Sequence, residues 1–195
     1  MPDMFDGDQA PNASTTVEEM NLTVIEQVKL RAAAVAKSFF LDMWLARHTA
    51  AKIMPILYKV LEGAQEEFAD AVAHGNGVYG VGYCLGAKYC LLLAGEGHDP
   101  YSKGQRAQDE EALPVAHGPY LKAGAIAHGT LVTMEDFEKL KSPMLLICVE
   151  DDQLFPQEVL EQAQEHMEEH NVSHQVKVIP GVPHGQSIEL SFDPH

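Results

Sequence analysis

Three kinds of side chain that can cooperate in nucleophilic catalysis follow one another along this chain. Cys84 lies in Gly82-Tyr83-Cys84-Leu85-Gly86, whose Gly-x-Cys-x-Gly spacing is that of a nucleophile elbow, with cysteine where serine is commoner. Such an elbow is a sharp turn from strand to helix. Its neighbours must be small, which accounts for glycine at both flanking positions. The turn presents the sulfur at the amino end of a helix, where the dipole and free N–H groups favour a thiolate and a developing oxyanion. A thiol nucleophile needs a base, and the base needs an orienting group. Asp151 or Asp152 could orient, and His184 in Gly181-Val182-Pro183-His184-Gly185 could act as base. Nucleophile, acid, histidine is the order that elbow enzymes use.

Each residue alone has a plainer explanation. Cysteine is more often a buried inert side chain, Asp152 would cap a loop, and His184 would be one turn histidine among 10. The shared order and placement favour the joint reading. Other motifs are weaker. His166-Met167-Glu168-Glu169-His170 matches an inverted zinc-peptidase signature, but little sequence remains to supply a third ligand. A solvated acidic helix face explains it better. Gly80, Gly82 and Gly86 loosely resemble a dinucleotide fingerprint, yet no second strand ending in an acid follows at the usual distance. Lys88 reads as a solvated helix lysine rather than a carboxylate anchor. His117 and His128 read as structural, and Tyr83 either flanks the thiol or packs. The glycosylation-type triplets at Asn12, Asn21 and Asn171 read as chance matches.

The elements that must position these residues follow from periodicity. Residues 17–50 and 53–73 carry apolar residues at three- to four-residue steps and predict helices. In the second, Ile53, Leu57, Val60, Leu61, Ala64, Phe68, Ala71 and Val72 share one face. Residues 78–83 predict a strand and 85–93 a helix. A long polar loop over 95–114, a small-residue strand at 123–127 and a short helix at 134–140 come next. Residues 143–149 form a continuous apolar run, predicting a strand buried on both faces. A loop at 150–156, a helix at 157–170, a strand at 174–179 and a Gly/Pro-rich loop at 180–186 complete the order. Alternating strands and helices predict a parallel sheet, an α/β fold. Its ligand groups should gather at the carboxyl ends of the strands.

Bulk composition limits the function classes. The 195 residues suit one domain, 1–195. A formal net charge of −16 argues against nucleic-acid and anionic membrane partners. No run reaches transmembrane length, and the first residues carry no basic and apolar leader pattern. Three cysteines suit a reducing, cytoplasmic setting better than a disulfide framework.

At this point the chain resembles the dienelactone hydrolases (carboxymethylenebutenolidases), an α/β-hydrolase family with a cysteine nucleophile, and fungal members most. Gly82-Tyr83-Cys84-Leu85-Gly86-Ala87-Lys88-Tyr89 resembles the family elbow, and Met1-Pro2-Asp3-Met4-Phe5-Asp6-Gly7-Asp8 its Pro-Asp-Leu/Met-Phe-x-Gly-Asp segment. Residues 123–128 resemble its strand after the elbow. Asp152-Gln153-Leu154-Phe155-Pro156 resembles its acid loop, which selects Asp152 over Asp151, and residues 181–185 resemble its histidine loop.

The resemblance implies an α/β-hydrolase fold with a mostly parallel sheet flanked by helices, and no cofactor or metal. The expected activity is opening of a small lactone or carboxylic ester through a thioester. Cys84 would be nucleophile, His184 base and then acid, Asp152 its orienting partner, and the Leu85 backbone N–H an oxyanion donor. Against the family pattern, residues 17–37 stand out as a helical insertion. The Pro-Asp-Met-Phe segment is at the amino terminus instead of inside the chain, and the family's C-terminal packing helix has no counterpart. The expectation is a domain without the strands beside the elbow strand, which also carry a second oxyanion donor and an acid facing the cysteine. The alternative is a catalytically impaired relic that acts as a binding or interaction protein.

Overall fold

The computed structural model describes residues 3–8, 40–96 and 118–184. The proposed insertion at 17–37, His117, most of the predicted 95–114 loop and the chain after His184 lie outside the described residues. The chain groups into two compact units, Met1–Val60 and Leu61–His195.

In the first unit residues 4–7 form a tight turn. The Asp3 carboxylate accepts the N–H groups of Phe5 and Gly7 at 3.1 and 2.9 Å. Residues 40–47 are helical (α1) and carry the aromatic side chain that receives this turn. Phe5 meets Trp44 edge-on at 4.6 Å, and the Trp44 indole N–H donates to the Asp8 carbonyl at 2.8 Å. Arg47 pairs with the Asp8 carboxylate at 3.2 Å.

Helix α2 spans Ala50–Glu67 and α3 spans Ala69–His74. The apolar stripe predicted over 53–73 is therefore broken at Phe68, whose φ of −114° and ψ of 33° leave the helical region. It is also covered only in part. Ile53 and Leu57 are buried, whereas Val60 and Phe68 are exposed and α3 buries no residue.

The second unit holds the sheet. Strands β1 (Tyr79–Tyr83), β2 (Ala123–Ala127), β3 (Met144–Val149) and β4 (His174–Ile179) lie in the order β1-β2-β3-β4 and are parallel throughout. Helix α4 (Leu85–Leu93) follows β1 and α5 (Gln157–Glu169) follows β3. The helix predicted at 134–140 is a single 3-10 turn at Met134–Asp136. Among the described residues no helix is long and apolar enough to cross a membrane.

Period-two alternation divides the sheet into unlike faces. Gly80, Gly82, Gly124, Ile126, Met144, Leu146 and Cys148 share one face, and every apolar side chain among them is buried. Gly80 and Gly124 are register partners, and the Cys90 sulfur of α4 lies 3.2 and 3.1 Å from where their Cβ atoms would be. Glycine on both strands lets α4 settle directly on the sheet. The opposite face is open along β1, where Tyr79, Val81 and Tyr83 are 61, 69 and 67% exposed; Leu145 and Ile147 are half-buried, and Ala127 and Val149 at the carboxyl ends are buried. β3 is therefore not buried on both faces as its continuous apolar run predicts. Among the described residues, β1 has a strand neighbour on one side only.

All three cysteines are free thiols, and their settings differ. Burial pushes Cys90 up to about 11, partly offset by its bond to the Ala125 carbonyl. Burial, and then the Asp152 charge, push Cys148 up to about 12. Both shifts are upward from 9.0, so the folded state holds these protons longer than the unfolded chain does. Their contribution to stability is intact below about pH 9 and is lost as pH rises toward the folded values. Iodoacetamide applied to the folded protein near neutrality should modify Cys84 and spare Cys90 and Cys148 until denaturant is added. Peptide mapping by mass spectrometry checks this, and early labelling of either buried thiol would contradict it.

Candidate active site

Because the strands are parallel, their carboxyl ends share one edge of the sheet. Cys84 follows β1, His128 to Thr130 follow β2, Asp152 lies just beyond β3, and His184 lies just beyond β4. The register ties the ends together: Tyr83 faces Ala127, Ala127 faces Ile147, and Val149 faces Ile179.

Cys84 is exposed and sits between β1 and α4 with φ 51° and ψ −120°. A non-glycine residue pays of order 1–3 kcal/mol for such a conformation. The surroundings hold it there. The Cys84 N–H donates to the Ala127 carbonyl at 3.0 Å, and its carbonyl accepts from Ala87 and Thr130 N–H at 3.1 and 3.2 Å. The two elbow glycines are not equivalent. A Cβ on Gly82 would lie 2.7 Å from the Gly86 carbonyl carbon and 2.8 Å from Ala87 Cα, so strand and helix touch backbone to backbone there. A Cβ on Gly86 would meet nothing among the described residues within 4 Å, and Gly86 does not adopt positive φ. The expectation that both must be small is met only by Gly82. Leu85 begins α4, and its N–H, in the first turn, has no carbonyl four residues back to bond.

Asp152 and His184 are in direct contact. His184 Nδ1 donates to both Asp152 oxygens, at 2.9 and 2.8 Å. Asp152 is buried and also accepts the N–H groups of Leu154 and Phe155 at 2.9 and 3.3 Å. It therefore caps its own loop and orients the imidazole with one carboxylate. Asp151, left open by order alone, is exposed at φ 54°.

Cys84 and His184 are not hydrogen-bonded to each other. Thr130 stands between them, its Oγ1 3.1 Å from Cys84 Sγ and 3.1 Å from His184 Nε2. Sequence reasoning did not single out Thr130. The usable signal is its place, three residues after a strand whose end abuts the elbow.

The loop carrying Thr130 is anchored to the elbow helix. Lys88 Nζ contacts both Asp136 oxygens at 2.7 Å and donates to the Leu131 carbonyl at 3.1 Å. Asp136 also accepts the Thr133 N–H at 2.8 Å, closing a capping turn. Lys88 is thus neither solvated nor free for a substrate carboxylate. His128 is buried, its ring 5.8 Å from that of His184, and its Nδ1 has no hydrogen-bond partner among the described residues. Tyr83 points away onto the open face. His166 and His170 stack at 4.0 Å, and His170 Nδ1 donates to the His166 carbonyl. Among the described residues no group of three or more His, Cys, Asp or Glu is placed to hold a metal ion.

Two stability predictions follow from these contacts. Gly82→Ala should unfold or misfold the elbow, while Gly86→Ala should leave the melting temperature unchanged or raise it by the ~0.4–1 kcal/mol typical of a permitted glycine replacement. Asp136→Ala strands the Lys88 charge and should cost about 3–5 kcal/mol in urea unfolding. Replacing both partners by apolar residues, K88M with D136L, should recover most of that loss. Equal losses for the single and double variants would show that the ion pair is not the cause.

Comparison with known proteins adds the following. Residues 112–189 match the model of the dienelactone hydrolase family, a stretch that includes Asp152 and His184 but not Cys84. Hydrolase pyvD of Aspergillus violaceofuscus (strain CBS 115571) is 22% identical over 193 residues, which is 99% of this chain and 59% of its own length. The chain thus spans about three-fifths of that curated relative, 59%. Esterase 2 of Thermogutta terrifontis, phosphoramylated by tabun, superposes with a TM-score of 0.53 at 11% identity, over 69% of this chain and 55% of that one. A dienelactone hydrolase-like promiscuous phosphotriesterase from metagenomic libraries gives a TM-score of 0.38 at 23% identity, over 55% of this chain and 37% of that one. The Thermogutta likeness concerns the fold alone, a parallel sheet with helices between its strands.

Proposed function

We propose that this chain, whose residues 112–189 match the dienelactone hydrolase family, belongs to that family and is a cysteine-dependent hydrolase of small lactones or carboxylic esters. The observation that carries the reading is the line of contacts from Cys84 through Thr130 to His184 and Asp152 at the strand ends.

In this reading Cys84 Sγ, as thiolate, attacks the ester carbonyl carbon. The C=O electrons move onto oxygen, which the Leu85 N–H and the amino end of α4 stabilise. The intermediate collapses with loss of the C–O bond, and the leaving alkoxide takes the proton held by His184. The acyl group remains on sulfur as a thioester. His184 then removes a proton from water, the resulting hydroxide attacks the thioester, and Cys84 leaves as thiolate. Asp152 keeps Nδ1–H in place and stabilises the imidazolium at each stage. No cofactor enters these steps. The free thiols of Cys84, Cys90 and Cys148 suit a reducing, cytoplasmic setting, which is part of this reading.

A second reading, an impaired relic with a binding role, is favoured by the apolar open face at Tyr79, Val81 and Tyr83. Turnover separates the two. The hydrolase reading expects p-nitrophenol release from short acyl esters, reduced at least a hundredfold by Cys84→Ala and by His184→Ala, about the size of a lost acid–base group. Absence of turnover in the wild-type chain, or wild-type turnover in both variants, would refute it.

A further inference from the structure

We propose that Thr130 is a catalytic residue whose hydroxyl relays the proton between Cys84 Sγ and His184 Nε2. The proposal rests on the cysteine-hydrolase reading above and adds to it a route for the proton.

Hydrogen-bond chemistry orders the relay. A carboxylate only accepts, so His184 Nδ1 carries the proton shared with Asp152. Neutral His184 therefore offers Nε2 as an acceptor. A hydroxyl has one proton and two lone pairs, so Thr130 Oγ1 can donate to Nε2 and accept the Cys84 S–H at once. Activation moves two protons in the same direction. The S–H bond breaks and its proton joins Thr130 Oγ1, while the Oγ1–H bond breaks and that proton joins Nε2. The products are a thiolate, an intact hydroxyl and an imidazolium paired with Asp152. The reverse shift returns every proton, and no oxidant, reductant or other reactant is needed.

The position of this hydroxyl is held from several sides. The Thr130 N–H donates to the Cys84 carbonyl at 3.2 Å, so backbone and side chain both bridge to the same residue. His128 and Leu131 bracket it at φ 51° and 57°, conformations that β-strand continuation would not give. Lys88 holds the Leu131 carbonyl and, through Asp136, the following turn. Threonine, branched at Cβ, has a stiff first side-chain torsion, which keeps Oγ1 on this bearing. Among the described residues, the ionisable groups around the relay are Asp152 and His128 beside His184, Cys148 close to Asp152, and the Lys88–Asp136 pair behind the loop.

The test compares iodoacetamide labelling of Cys84 in the full chain, followed by mass spectrometry at about pH 6.5 and about pH 9, with N-acetylcysteine as reference. The variants are Thr130→Val, which keeps the shape and loses the hydroxyl, Thr130→Ser, His184→Ala and the Thr130→Val/His184→Ala double. Circular dichroism and thermal melting verify that each is folded. The relay expects Thr130→Val to slow labelling at the lower pH about tenfold while changing it little at the higher, where free thiols ionise unaided. It expects His184→Ala to match that loss, the double to lose no more than either single, and Thr130→Ser to restore the wild-type ratio of the two rates. If His184→Ala slows labelling and Thr130→Val does not, the relay is overturned and the hydrolase reading stands. If an acyl label from an activated ester is recovered on Thr130 instead of Cys84, the relay is overturned because Thr130 is then the nucleophile. If wild-type Cys84 reacts no faster than N-acetylcysteine and His184→Ala changes nothing, both fall together.

Discussion

Strand β1 and helix α4 meet with their backbones in contact, Gly82 against the carbonyl of Gly86, and Cys84 turns between them at φ 51° and ψ −120°. A turn this tight cannot be held by local preference, because a cysteine loses free energy by adopting it. It is held by neighbours: the Ala127 carbonyl accepts the Cys84 N–H, and the Thr130 and Ala87 N–H groups donate to the Cys84 carbonyl. The loop after β2 is therefore part of the elbow. Any loosening of that loop relaxes the Cys84 backbone together with the hydroxyl that faces its sulfur.

The same constraint explains why charge lies behind the site as well as in it. The loop bearing Thr130 could not rest on α4 by apolar contact alone, since its own carbonyls and the Asp136 carboxylate need partners. Lys88 supplies them, joined to the Leu131 carbonyl and to Asp136. Asp152 plays the matching part on the other side. It binds two N–H groups of its loop and the imidazole of His184, so the orientation of that ring is set by the same carboxylate that shapes the loop.

The sheet these loops crown is asymmetric. One face carries α4 and a dense row of buried side chains, while the other leaves Tyr79, Val81 and Tyr83 in the open. Parallel strands rich in apolar residues are normally covered on both sides. The exposed row along β1 is thus the place where the described residues depart furthest from what their own chemistry favours, and it adjoins the strand that ends in Cys84.

Much of this was legible in the sequence because it depends on local pattern. Strand-length segments between turn-rich stretches predicted all four strands, the Gly-x-Cys-x-Gly spacing predicted the elbow, and strand-end placement predicted that Cys84, the loop holding Asp151 and Asp152, and the loop holding His184 share an edge. Period and turn chemistry act over a few residues, so sequence alone determines them. The tertiary structure decided the rest. Thr130 belongs to no motif and lies 46 residues from Cys84 and 54 from His184, so only the register of all four strands brings it between them. The partner of Lys88, 48 residues away, is settled by the fold of one loop over one helix. Whether an apolar strand is covered on one face or two is equally invisible in its own residues, because burial depends on what packs against the strand. Here sequence alone determined the order of the chemistry along the chain, and tertiary structure decided that a hydroxyl separates the thiol from its histidine. Hydrogen bonds between distant loops require the whole sheet to be in register before any of them can form.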